Sequence, residues 1–92
     1  MFPILALDLL AARLEITEVS LALAPLARRF RVTGIRPSGP LTYRLMEMGL
    51  IEGAELEVLR RAPLGDPLHV RLGDYELSLR AREADLVQVA EL

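Results

Sequence analysis

The 92-residue sequence predicts a mostly-β fold: a small barrel of about five antiparallel strands, with one short helix inserted after the first strand and an amphipathic helix at the N-terminus. Three observations lead there. Leu68, Val70 and Leu72 alternate with His69 and Arg71, and after Gly73-Asp74 the alternation resumes as Tyr75, Leu77 and Leu79 with Glu76, Ser78 and Arg80; this is a hairpin around a two-residue turn. No strand–helix–strand spacing suits a parallel crossover, so the strands pair antiparallel. Hydrophobic residues are 52% of the chain but aromatics only 4%, with no Trp and no Cys. A domain of this length must therefore close an aliphatic core by packing alone. Charged residues at 26% with a net charge of −2 exclude a disordered chain.

The N-terminal stretch comes first. Leu5, Leu9, Leu10 and Leu14 fall at helical spacing, and Pro3 suits a first turn. Asp8 and Arg13 interrupt the apolar run, which is too short to span a bilayer, and no basic residue precedes it as in a signal peptide. We divide the chain into a helical extension over residues 1–18 and a barrel over residues 19–92. The extension caps an open end of the core or docks onto a partner or membrane.

Glu15 to Pro25 is a transition, since Pro25 breaks any helix. Residues 28–35 alternate as a strand, with Phe30 and Val32 on one face and Arg29, Arg31 and Thr33 on the other. Arg36-Pro37-Ser38-Gly39-Pro40 is a loop. Pro40 then fits the first position of a helix, where its missing N–H costs nothing. Leu41, Leu45 and Met48 give that helix one apolar face, and Gly49 ends it in a left-handed conformation. Leu50-Ile51-Glu52-Gly53 is a tight connection with a positive φ at Gly53. Residues 54–62 form a strand with Leu56 and Val58 inward and Glu55, Glu57 and Leu59 outward. A wide turn over residues 62–67 leads to the hairpin, whose two-residue loop pairs Leu72 with Tyr75, Val70 with Leu77 and Leu68 with Leu79. A register slip of one would bury the charges. Residues 82–85 read as a charged turn and residues 86–90 as the last strand.

Catalytic chemistry has little to work with. The only histidine, His69, faces Ser78 across the hairpin, and no oxyanion-hole signal accompanies the pair. A lone imidazole builds no transition-metal chelate, and Glu55 with Glu57 on a strand face are solvated charges. No phosphate-binding glycine motif is present. The reading is no enzyme, no cofactor and no metal site. Arg28, Arg29, Arg31, Arg36 and Arg44 make a local basic stretch in a chain with a sequence pI near 5.4. The stretch is a solvated face or the contact for an anionic partner. On the inserted helix, Tyr43 and Met46, with Arg44 and Glu47, are left on the outer side when Leu41, Leu45 and Met48 face the barrel. Met suits adaptable contacts, and Tyr and Arg are favoured interface anchors. These four are the candidate partner-contact residues.

Leu45-Met46-Glu47-Met48-Gly49-Leu50-Ile51-Glu52-Gly53 resembles the signature of the FeoA family, with Leu45, Met48, Gly49, Leu50 and Gly53 as its structural positions. Val32-Thr33-Gly34-Ile35, the run Glu57 to Pro67, Tyr75 to Arg80 and Glu83-Ala84 are similar to flanking parts of that family in the same order. The resemblance covers roughly residues 20–91. Where the family usually places a Gly before its first strand, this chain has Pro25-Leu26-Ala27. The resemblance implies an SH3-like barrel. It further implies a non-catalytic cytoplasmic accessory protein that binds and modulates a ferrous-iron membrane transporter carrying a GTP-binding domain. Contact with the inner membrane would run only through that partner, and self-association is a further option. The rival reading from another class is a small RNA- or ribosome-associated barrel using the Arg28-to-Arg44 stretch.

Overall fold

The computed structural model describes residues 18–92. The expected N-terminal helix falls outside them. Along the described chain run β1 (Val19–Ser20), a 3-10 turn (Leu21–Leu23), β2 (Arg29–Ile35), α1 (Pro40–Glu47), β3 (Glu55–Arg61), β4 (Leu68–Leu72), β5 (Tyr75–Leu79), α2 (Ala81–Ala84) and β6 (Val87–Glu91). The strands form one antiparallel sheet in the order β1-β6-β2-β3-β4-β5. Two consecutive hairpin steps, β3-β4 and β4-β5, continue the sheet from β2, while β6 returns across the molecule to pair with the other edge of β2.

The β4-β5 register is the one the alternation predicts: Leu68 opposite Leu79, Val70 opposite Leu77, Leu72 opposite Tyr75, with His69 facing Ser78 and Arg71 facing Glu76. Inward residues of the strands, Phe30, Val32, Leu56, Val58, Leu68, Val70, Leu72, Leu79, Val87 and Val89, make the buried core with Leu21, Ala24, Leu45, Leu50 and Ala84. It is aliphatic apart from Phe30.

The mostly-β antiparallel fold expected with about five strands is the one observed, with a sixth, two-residue edge strand where Val19 and Ser20 pair with Val89 and Gln88. Two residues are too few to show a period. Residues 81–84 form a helical turn rather than a simple charged turn, since Glu83 Oε1 accepts the Arg80 N–H at 2.8 Å and Asp66 Oδ1 accepts the Ala81 N–H at 3.1 Å. Thr33, expected on the solvent face, lies where the β2-β6 register shifts between Val32 and Gly34. The bulge turns it partly inward, and its Oγ1 is shielded from solvent with no hydrogen-bond partner.

The turn before β2 carries the one described non-glycine residue at positive φ, Ala27 at 59°. Its N–H donates to the Val58 carbonyl at 2.8 Å, so β3 holds the turn in that shape. A Cβ in the left-handed region costs roughly 1–2 kcal/mol. Ala27→Gly should therefore raise stability by about 1 kcal/mol, less what glycine adds in unfolded-chain entropy. Chemical denaturation reads this directly, and a lower midpoint for the variant would mean that the turn is not strained.

Candidate functional site

The helix α1 is the element on which the candidate residues converge. Pro40 occupies its first turn, and the chain leaves it through Met48 and Gly49. Leu45 is fully buried, and Leu41 and Met48 are partly buried against the core. The apolar face is thus where the spacing puts it. Gly49, at φ 101°, reverses the chain, and its N–H donates to the Met46 carbonyl at 3.0 Å. The next N–H, of Leu50, reaches back to the Leu45 carbonyl at 3.1 Å. These bonds satisfy carbonyls that a helix end would otherwise leave open. Leu50 follows into the core, and Gly53, at φ 92°, hands the chain to β3. The Tyr75 hydroxyl, from the far hairpin, donates to the Met48 carbonyl and ties β5 to the helix end.

Tyr43, Arg44, Met46 and Glu47 are all exposed, as expected, Tyr43 at 69% and Met46 at 45%. The structure divides them between two flanks. Tyr43 and Met46 border two adjoining shallow recesses of about 270 and 190 Å³. Met46 and Thr42 line both, with Pro37 at one end and Ile35 and Ile51 at the other. Arg44 lies on the opposite flank, where with Met48 it lines a polar recess formed also by Asp66, Pro67, Ser78, Arg80 and Glu83. Glu47 sits between the flanks by helical rotation.

The apolar flank has a member that the sequence reading passed over. Ile51 is 50% exposed although Leu50 beside it is fully buried. Its position in a three-residue link between Gly49 and Gly53 carries no period that would signal its direction.

The basic stretch of the sequence is not a free cationic patch. Arg28 pairs with Glu91 at 3.0 Å, Arg29 and Arg31 share Glu55 at 3.2 and 3.4 Å, and Arg36 pairs with Asp85 at 3.4 Å. Such exposed pairs add little stability. They do cancel the positive field that an anionic polymer would seek. Of that stretch only Arg44 is without an ion pair among the described residues. His69 and Ser78 sit opposite each other in the hairpin. Among the described residues no group of three or more metal-ligating side chains comes together, and no helix is long and apolar enough to cross a membrane.

Residues 19–91 match the family model for the FeoA domain. A curated relative is the Fe(2+) transport protein A/Fe(2+) transporter FeoB fusion protein of Porphyromonas gingivalis, 34% identical over 58 residues. That alignment takes in 63% of this chain and 7% of the fusion protein. Among solved structures, the FeoA-like protein of Clostridium acetobutylicum is 34% identical with a TM-score of 0.76, over 83% of this chain and 88% of that one. The FeoA protein of Chlorobium tepidum is 38% identical with a TM-score of 0.74, over 80% and 70%. The Stenotrophomonas maltophilia FeoA, solved with zinc and described as a prokaryotic SH3 domain protein, is 29% identical with a TM-score of 0.69, over 77% and 88%. A manganese-dependent transcriptional repressor shares the fold alone, at 18% identity and a TM-score of 0.75.

Proposed function

The chain belongs to the FeoA family, and from that premise we propose that it is a non-catalytic cytoplasmic accessory protein that binds and modulates a GTP-binding ferrous-iron membrane transporter. The observation that carries this reading is the Porphyromonas gingivalis relative, in which a segment similar to this chain is joined to the ferrous-iron transporter FeoB in one polypeptide. Domains fused in one chain act at one place, and a separate chain of the same kind reaches that place by docking. The matched segment is a small fraction of the fusion protein, so the transport itself belongs to the remainder.

For the docking surface we propose the apolar flank of α1. Tyr43, Met46 and Ile51 expose apolar area together along the recesses between α1 and the end of β2. Clustered apolar surface on a small domain marks an interaction site, and Tyr and Met are efficient anchors. Glu47, between the flanks, supplies a charged rim, while Arg44 faces the other flank. The occupant we assign is the cytoplasmic GTP-binding domain of the transporter. Met46→Asp should leave the domain folded and abolish its capture by that transporter domain in a pull-down. If instead residues 1–18 fold over this flank, the same change lowers the thermal midpoint, and so does deleting those residues. A folded Met46→Asp chain that is captured normally would rule the flank out as the docking surface. The RNA-binding alternative would show as a steeply salt-dependent gel shift, and the carboxylates paired along the basic stretch argue against it.

A further inference from the structure

Beyond the docking reading, and independent of it, we propose that the polar recess on the other flank of α1 is an oxyanion-binding site held by the guanidinium groups of Arg44 and Arg80. The recess has a volume of about 360 Å³ and lies between the C-terminal half of α1 and the corner where β5 turns into α2. Most arginines elsewhere in the described chain have partners. Arg28, Arg29, Arg31, Arg36, Arg60 and Arg71 make ion pairs, and Arg61 donates to the Ala24 carbonyl at 2.6 Å. Arg44, Arg80 and Arg82 form no ion pair among the described residues, and two of these three line this one recess.

The two carboxylates of the same recess balance its formal charge but form no ion pair with these guanidinium groups among the described residues. Asp66 Oδ1 is turned to the Ala81 N–H and Glu83 Oε1 to the Arg80 N–H. These two oxygens shape the β5–α2 corner, the second oxygen of each carboxylate stays open to the recess, and neither carboxylate forms an ion pair with Arg44 or Arg80 among the described residues. Against those two open carboxylate oxygens stand two guanidinium forks and the Ser78 hydroxyl, so N–H and O–H donors outnumber the acceptors that line the recess. A guanidinium fork matches the paired oxygens of a carboxylate or phosphate, and charge-assisted bonds of this kind are the strong ones. Both Arg44 and Arg80 are exposed, so an incoming oxyanion meets no covering element among the described residues.

The test is a titration of the isotope-labelled full chain at low ionic strength, following the guanidinium Nε–H resonances. Inorganic phosphate is the first probe and glutarate the second. The site predicts saturable shifts at Arg44 and Arg80, with Arg82 and the ion-paired Arg29 unmoved. Each of Arg44→Gln and Arg80→Gln should weaken binding about tenfold, the loss of one charge-assisted contact. The corresponding Lys variants should recover only part, because they restore charge but not the fork. Saturation by phosphate alone assigns a phosphate-bearing ligand, and saturation by glutarate alone assigns a carboxylate-bearing one. Saturation by both supports the shared oxyanion chemistry. Shifts that fail to saturate with either probe, that spread evenly over all arginines, or that survive the double Gln substitution would overturn the site. None of these outcomes depends on whether the transporter docks on the Met46 flank.

Discussion

Gly49→Ala should destabilise the domain by about 2–5 kcal/mol. Two costs combine. The residue sits at φ 101°, where an L side chain is strained by roughly 1–2 kcal/mol. An added Cβ would also lie 2.7 Å from the Tyr75 hydroxyl and 2.9 Å from Leu72 Cδ2. Tyr75 is half exposed and can swing aside, but only by giving up its bond to the Met48 carbonyl. Leu72 is in the core and has no such escape, so the backbone between helix and β3 must move. Overpacking of this kind costs about 1–3 kcal/mol. Denaturant unfolding measures the sum. The same substitution in a Tyr75→Phe background isolates the share of the hydroxyl contact, since it removes that contact and leaves the Leu72 contact and the φ strain. A Gly49→Ala midpoint equal to that of the parent would show that the helix-to-β3 turn is not held as described. The consequence for function is direct, because this turn sets where Met46 and Ile51 stand relative to each other.

The second large effect is Leu45→Ala, expected to cost about 2–5 kcal/mol through lost burial and the cavity left behind. Leu45 is the one fully buried side chain of α1 and meets the aliphatic core from the helix side. Against the 5–15 kcal/mol that typically separates folded from unfolded states, this is a large share of what a small domain has. A thermal midpoint unchanged within error would mean that α1 does not close the core. In that event neither flank of the helix would be a rigid surface, and the three recesses along it would lose their shared frame. Leu45→Met, which keeps the volume, should cost under about 1.5 kcal/mol and so confirms that the loss is one of packing.

The extent to which the sequence was legible differs from element to element. The β4-β5 hairpin could be read residue by residue because a period of two and a two-residue turn together leave a single register that hides the leucines. Helix α1 could be read because Pro40 starts it, Leu45 and Met48 phase it and Gly49 ends it. The strand β1 and the helix α2 could not, since two and four residues carry no period and their order comes from partners far along the chain. Ser20, for example, is held by the Asp85 carboxylate at 3.0 Å, 65 residues away.

The candidate site shows the same division. That Tyr43, Arg44, Met46 and Glu47 would face outward followed from the helical repeat alone. That they serve two different flanks did not, because the walls opposite them come from β2 and the Ile51 link on one side and from β5 and α2 on the other. The arginines make the point most plainly. By itself the sequence determined the longer strands β2 to β6, the turns between β3, β4 and β5, the aliphatic core and the helix α1 with its exposed face, since each rests on a period or on the backbone freedom of particular residues a few positions apart. Only the tertiary structure decided which charges are free: Arg28 is neutralised by Glu91 and Arg36 by Asp85, while Arg44 is left open beside Arg80. Those pairings depend on β6 returning to lie beside β2, and a strand order is set by how the whole core closes rather than by any local run of residues.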